Sequence, residues 1–328
     1  MSKTIAAPRG TRDLLPEETR TWSRVEDVAR DLSRRYAFER IETPLFERIE
    51  LFARGLGESS DAVEKEMFRV AGATGSEEEA APWALRPEPT AGIARAFIEH
   101  GMHVRPGPLR LTMIGPMFRY DRPQAGRYRQ FVQWDVEVIG DAGPAVDAEL
   151  IELGHRFYSE LGLRDVVAHI NSIGDEACRP RYRDGLVAYF GAYEDRLSED
   201  SRRRLHTNPL RILDDKALAP DLAEGAPRGI DHLCDDCRAH FDAVRGLLDA
   251  LGVRYELDHR LVRGLDYYTR TAFEFYVAGR EGQQQALGGG GRYDGLIELL
   301  GGRPTPGIGF GIGLDRTVIA LAEAGIEA

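Results

Sequence analysis

Cysteine is scarce in this chain: Cys178, Cys234 and Cys237 are the only three among 328 residues. So small and odd a number offers no disulfide framework and fits a reducing compartment. Long apolar runs are absent too. No stretch approaches the ~18 apolar residues of a membrane helix, so no helical span is expected. Met1 to Gly10 lacks the apolar segment of a signal peptide, which makes the cytoplasm the expected location. There is no Walker A loop, and the alternating glycines of 307–313 lie in no βαβ unit, so no dinucleotide fingerprint exists. Nor is there an excess of positive charge. With 43 Lys and Arg against 54 Asp and Glu the net charge is −11, which argues against a surface that grips nucleic acid everywhere. It leaves room for a local basic strip. Internal repeats and low-complexity tracts are absent.

What is present describes a globular protein, 42% hydrophobic and 30% charged. Length alone suggests about two domains, but the pattern along the chain divides differently. Residues 16–38 have Trp22, Val25, Val28, Ala29, Leu32 and Tyr36 at helical spacing. A short strand, 38–46, follows, and 71–81 reads as an exposed loop or hairpin tip. After the strand-like 166–170, residues 175–251 are charged and helical. Ser198 opens one helix there, and Gly252 stops another running from 233 to 251. Strand and glycine patterns resume at Tyr255 and last until a final helix from Gly313. The chain therefore reads as one α+β domain, 1–165 and 255–328, interrupted by a mostly helical insertion, 166–254.

The densest chemistry lies in 118–138. A strand, an arginine-rich turn (Arg119, Arg122, Arg127, Arg129) and a second strand form a hairpin suited to a polyanion. In the second strand Val132, Trp134, Val136 and Val138 share one face, and Phe131, Gln133, Asp135 and Glu137 share the other. A carboxylate-lined floor beside an arginine turn suits a phosphate compound together with an amino-bearing one. A half-solvated hairpin is the alternative.

Three further segments bear on the choice. In Arg86-Pro87-Glu88-Pro89-Thr90, two prolines stiffen a turn holding Glu88 and Thr90, which can accept from an ammonium; Thr90 can also cap the following helix, 91–100. In 262–276, Arg263, Asp266 and two tyrosines stand at a strand mouth, with Tyr268, Arg270 and Glu274 on one face. In 287–296, four glycines precede Arg292-Tyr293-Asp294, as where backbone approaches a planar or anionic group, or as in a hinge. Arg316, after the glycine-alternating strand, is available to phosphate. The Cys234-x-x-Cys237 pair, with His232, His240 and Cys178, has zinc-like elements. A single CxxC reads rather as a reduced pair at a helix start, and no metal site is assigned.

Together these segments resemble histidyl-tRNA synthetase, a class II aminoacyl-tRNA synthetase, over nearly the whole chain. Pro8-Arg9-Gly10-Thr11-Arg12-Asp13 opens the match. Glu42-Thr43-Pro44 is similar to class motif 1, the arginine hairpin to motif 2, and 309–316 to motif 3. Arg263-Gly264-Leu265-Asp266-Tyr267-Tyr268 and Gly290-Gly291-Arg292-Tyr293-Asp294 resemble the two histidine-specific motifs.

The resemblance implies an antiparallel sheet flanked by helices with a helical insertion, and a homodimer formed partly through motif 1. It implies formation of histidyl-adenylate from L-histidine and ATP with Mg2+, then transfer to tRNA(His). Arg119 and Arg263 would clamp the α-phosphate and carboxylate. Arg316 would hold the distal phosphates, with Arg127 and Tyr128 near ATP. Glu88, Thr90 and Gln133 would take the ammonium and carboxylate end of histidine; Glu137 and Tyr268 would bracket its imidazole, with Tyr293 closing the pocket. Gln133 and Glu137, four residues apart on one face, span roughly 13 Å in an extended strand.

Three features depart from the family pattern. Asp315 stands where a glutamate is usual, Pro89 where a smaller or more flexible residue is usual, and the sequence ends before the family's anticodon-binding domain, as an excised core or a natural short paralogue would. The last makes charging of tRNA the step expected to suffer most. It also admits a rival, the histidine-binding regulatory subunit of ATP phosphoribosyltransferase, although such a regulator has little need of Arg119, Arg127, Arg263 and Arg316. A tRNA-binding module without catalysis is a third reading, which the polar pocket disfavours.

Overall fold

A computed structural model describes residues 5–57, 63, 66–70, 83–121, 126–262, 267–279 and 286–326. Pro16, preset to a helical φ, starts helix α1 (Pro16–Arg35). Glu17 and Glu18 lie in its first turn and Arg34 and Arg35 in its last, each sign at the helix pole that favours it. The helix stops short of residue 38, since Ala37 takes a left-handed φ of 58°.

Strand β1 (Glu39–Arg40) follows. A small antiparallel sheet then joins β2 (Phe46–Arg48), β3 (Arg69–Val70) and β4 (Trp83–Leu85), with α2 (Ile49–Leu56) beside it. The stretch expected to be a hairpin tip, 71–81, lies outside the described residues; the strands flanking it pair antiparallel. Helix α3 (Thr90–Glu99) leads to the hairpin of β5 (Leu109–Phe118) and β6 (Gln130–Ile139), paired from Leu109 opposite Ile139 to Phe118 opposite Gln130. Then come α4 (Pro144–Leu161), β7 (Val166–Ser172), α5 (Arg179–Gly191), α6 (Glu199–Thr207), α7 (Pro220–Gly225), α8 (Asp235–Leu251) and β8 (Tyr255–Leu257). The chain continues through β9 (Thr269–Val277), β10 (Gly288–Arg292), α9 (Leu296–Leu299), β11 (Gly307–Gly313) and α10 (Leu314–Glu323).

Eight strands form one sheet in the order β1-β5-β6-β11-β10-β9-β7-β8. The six inner strands are antiparallel, while β1 and β8 add parallel edges. One face is sealed by α1, α4, α8 and α10. Trp22, Val25 and Leu32 of α1 and Leu150, Leu153 and Phe157 of α4 join Trp134 of β6, Phe273 of β9 and Phe310 of β11 in its core. The other face is left for the cleft described below.

Two expectations change. Strand β7 lies inside the sheet, antiparallel to β9, so the strand read at 166–170 belongs to the catalytic sheet, and the helices after it run between Arg179 and Leu251. Arg270 does not share a face with Tyr268 and Glu274. Its φ of 51° and a register shift at Gly291/Arg292 break the alternation at the start of β9, and Arg270 turns to Asp175.

One buried ion pair ties these layers together. Arg292, at the end of β10, is fully buried and pairs with Asp147 in the first turn of α4. It also donates to Asp141 O at 2.8 Å, Gly143 O at 3.1 Å and Asp294 Oδ1 at 3.0 Å. Asp147 Oδ2 meets His240 Nε2 of α8 at 2.8 Å. Burial works against this carboxylate's charge, but His240 and Arg292 outweigh it and hold its pKa below the ordinary value.

Candidate active site

Strand β6 forms the floor. Trp134, Val136 and Val138 point into the core, so Gln133, Asp135 and Glu137 project from the opposite face. Beside them β11 places Gly309 opposite Glu137, Gly311 opposite Asp135 and Gly313 opposite Gln133. Space demands the first two of those glycines. A Cβ at Gly309 would overlap Glu137 Oε2, and one at Gly311 would sit 2.6 Å from Asp135 Oδ1. The alternation read as a surface for a flat ligand thus first makes room for three polar side chains, although Gly311 and Gly313 also border the cleft. The glycine run of β10 divides similarly. Gly288 and Gly289 border the cleft, whereas a Cβ on Gly290 would overlap Gly309 O.

Carboxylates crowd one end. Glu88 accepts from the backbone N–H of Thr90 at 2.8 Å and of Ala91 at 3.0 Å. It is therefore Glu88, not Thr90, that caps α3. The Thr90 hydroxyl donates instead to Glu137 Oε1 at 2.6 Å, and Tyr293 OH donates to Glu137 Oε2 at 2.5 Å. Burial pushes the Glu137 pKa up to about 8, against the pull of these two bonds and with some help from Glu88. Burial raises Glu88 too, and lifts Asp135 well above the carboxylate range, where the charges of Glu137 and Glu88 add to it. Gln133 Oε1 and Asp135 Oδ2 are buried and accept no hydrogen bond from any described group. Such a cluster favours a cation carrying several N–H donors.

Arginines gather at the other end. Arg119 Nε donates to Pro87 O at 2.9 Å, and its guanidinium lies 5.2 Å from the centre of the Phe131 ring. Arg127 pairs with Asp121 at 2.7 Å. Arg316, at the start of α10, donates to Gly126 O at 3.1 Å and Ala286 O at 2.5 Å. Its pKa is lowered by burial and then by repulsion from Arg127 and Arg119. Three cations that repel one another within one cleft suit a polyanion. The N-terminal segment braces this end. Arg12 bridges Glu18 at 2.6 Å and Asp315 at 3.3 Å and lies over Tyr128 at 5.1 Å. Asp315 also accepts from Val132 N at 3.0 Å. Arg129, in contrast, lies over Tyr120 at 3.8 Å and donates to Arg9 O at 3.2 Å, so it holds the chain rather than the cleft.

Of the residues singled out in the sequence, Glu88, Thr90, Arg119, Arg127, Tyr128, Gln133, Tyr268 and Arg316 border this single cleft. Glu137 and Tyr293 stand one layer behind it, against Thr90 and β11. Arg263 falls outside the described residues. Two lining residues, Asp135 and Tyr267, were named in the sequence but given no role in the site. Asp135 shares the period-two face of Gln133 and Glu137, a signal that was sufficient to find it. Tyr267, 4.6 Å from the Tyr268 ring and 5.8 Å from that of Tyr293, carried no periodic signal.

The histidyl-tRNA synthetase family profile matches residues 10–174 and 192–317. A histidine–tRNA ligase of Desulforudis audaxviator is 51% identical over 325 residues, covering 98% of this chain and 76% of the relative. Among solved structures, apo histidyl-tRNA synthetase of S. aureus superposes with a TM-score of 0.79 at 39% identity, covering 99% of this chain and 75% of that one. A Bacillus halodurans structure described as an ATP phosphoribosyltransferase regulatory subunit/histidyl-tRNA synthetase gives 0.71 at 26% identity, with 98% and 84% covered.

Proposed function

The chain belongs to the histidyl-tRNA synthetase family, and from that membership we propose how its cleft divides the work of the reaction. The protein activates L-histidine with ATP, releasing pyrophosphate, and transfers the histidyl group to tRNA(His). The observation that carries the assignment of residues is the polarity of the cleft: acceptors and carboxylates at one end, three arginines at the other.

Histidine enters with its ammonium toward Glu88, Thr90, Gln133 and Asp135. A carboxylate oxygen of histidine bonds to the α-phosphorus as the bond from phosphorus to the pyrophosphate oxygen breaks, and pyrophosphate leaves with that electron pair. Arg119 faces the α-phosphate and the attacking carboxylate, where negative charge meets negative charge. Arg316 and Arg127 hold the distal phosphates and Tyr128 borders the nucleotide. Arg263 is assigned to the same clamp by resemblance to the family motif alone. In the second step a hydroxyl of the terminal adenosine attacks the carbonyl and AMP departs. Most of this catalysis is positioning and charge neutralisation.

Glu137 acts through Thr90. When Glu137 is ionised, the Thr90 hydroxyl donates to it and keeps its lone pairs for the substrate ammonium; when protonated, Glu137 must itself donate to Thr90 or Tyr293. With its pKa near 8, the empty site is mostly protonated at neutral pH. Histidine binding is therefore expected to release a proton, and affinity to rise between about pH 6 and 8. Calorimetry in two buffers of different ionisation enthalpy measures the release. Glu137→Gln should abolish it and weaken histidine binding more than ATP binding; unchanged release would assign the proton elsewhere. The sign for stability is opposite. An acid raised from 4.5 to about 8 takes up a proton on folding, so the empty protein loses stability as pH climbs through that interval.

The hard-oxygen chemistry of the phosphate end fits Mg2+, and Glu274, a carboxylate beside Arg316 on the cleft wall, is the ligand we assign to it. Bound there, the ion would neutralise phosphate charge. A homodimer is proposed through the segment around Glu42–Phe46, where Leu45 and Phe46 are exposed. Among the described residues no helix is long and apolar enough to cross a membrane. A cytoplasmic location is proposed from the tRNA substrate.

The deciding experiment is histidine-dependent exchange of labelled pyrophosphate into ATP without tRNA. Robust exchange with histidine and none with other amino acids is expected. Histidine binding without exchange would favour the regulatory reading.

A further inference from the structure

We propose that Asp175, Cys178, Cys234 and Cys237 form a tetrahedral Zn2+ site that staples the helical segment to the catalytic sheet. Their four ligand atoms, one carboxylate oxygen and three sulfurs, all lie within 4.8 Å of one another. Asp175 Oδ1 is 3.5 Å from Cys178 Sγ and 4.0 Å from Cys234 Sγ. Zinc with bonds of about 2.3 Å to sulfur and 2.0 Å to oxygen requires ligand separations of about 3.5–3.8 Å. Small side-chain adjustments close the site.

The surroundings suit bound thiolates. Cys178 is the N-cap residue of α5 and Cys234 that of α8, while Cys237 lies in the first turn of α8. The N-terminal poles of two helices thus converge on the sulfurs. The Asp175 N–H points at Cys178 Sγ from 3.4 Å. The outer oxygen of Asp175 is held by Arg270 of β9 at 3.4 Å, which leaves Oδ1 facing the sulfurs. An outer partner of this kind orients a metal-binding carboxylate and offsets the negative charge of the ligand set. Cys178 and Cys237 are buried, while Asp175 and Cys234 reach solvent and provide an entry path. Three sulfurs and one oxygen select zinc over magnesium or calcium.

The nearby histidines are not ligands. His240 meets Asp147, and His232 packs 5.6 Å from the Tyr182 ring. The fourth ligand is instead Asp175, 59 residues before Cys234. The staple reaches toward the cleft: Arg179, next to Cys178, donates to Tyr268 O at 2.5 Å and Gly174 O at 3.3 Å. Zinc here is structural, holding the turn after β7 and the backbone behind Tyr268.

The test uses the whole chain, purified under reducing conditions from zinc-supplemented culture. Elemental analysis should find about one zinc per chain. The zinc-stripped wild type titrated with Co2+ should develop thiolate-to-cobalt charge transfer and the visible bands of a tetrahedral ion. Asp175→Asn should weaken zinc retention by about tenfold or more, and Asp236→Asn, an exposed acid of the same helix turn, should not. The spectra need only the wild type, so a Cys178→Ser variant that fails to fold leaves the test intact. Zinc far below one per chain with no cobalt–thiolate band would overturn the proposal. So would a Cys234–Cys237 disulfide in chain isolated anaerobically without added reductant.

Discussion

Arg119→Ala is expected to lower histidine-dependent pyrophosphate exchange by about a hundredfold to a thousandfold, the loss typical of removing a preorganised donor from developing charge. Arg119 is held from two sides, by Pro87 O at 2.9 Å and by the Phe131 ring. It needs little reorganisation as charge develops at the phosphate. The loss should fall on kcat more than on the dissociation constant of histidine, because the acid end stays intact. Arg129→Ala makes a suitable control, since Arg129 belongs to the same turn but holds Tyr120 and Arg9 O instead of the cleft. Exchange rates, with circular dichroism to establish folding, separate the outcomes. If Arg119→Ala keeps most of its exchange, Arg119 only braces the turn at Pro87.

Arg292→Leu should cost about 3–5 kcal/mol of stability, the penalty for breaking a buried pair and leaving one charge behind. Asp147 would keep His240 but lose its guanidinium partner, and the carbonyls of Asp141 and Gly143 would lose their donors. Urea unfolding at constant slope measures the change. The double variant Arg292→Leu, Asp147→Leu should cost less than the sum of the single changes, because no orphan carboxylate remains. Strict additivity would mean that the pair contributes nothing as a pair. Arg292 sits in a segment whose glycines and charges read as ligand-facing, yet its side chain points away from the cleft. Loss of activity in this variant should therefore follow loss of fold.

Much of the site was legible in the sequence because its logic is local. Strand β6 alternates with period two, so one look at 131–138 separates core residues from floor residues. The alternating glycines of β11 mark a partner strand that yields space, and Pro16, Ser198 and Gly252 punctuate helices where propensity and capping require. The misreadings arose where one residue type serves two purposes. Thr90 could be acceptor or cap by sequence, and Glu88, two residues earlier, takes the free N–H groups of α3 and leaves the Thr90 hydroxyl to Glu137. Arg270 looked periodic with Tyr268 and Glu274, but a left-handed φ turned it aside.

The chain by itself thus determined which residues could be floor, clamp, cap and core, because periodicity, glycine spacing and charge runs record the interactions of near neighbours. Only the tertiary structure decided which distant groups meet: Glu137 with Thr90 and Tyr293, Arg292 with Asp147 and His240, Asp175 with three cysteines. Those meetings depend on strand order and on how helices cross the sheet, and burial then sets their energetics. A glutamate that would titrate near 4.5 in water titrates near 8 beneath Thr90 because folding, not its sequence neighbours, removes it from solvent.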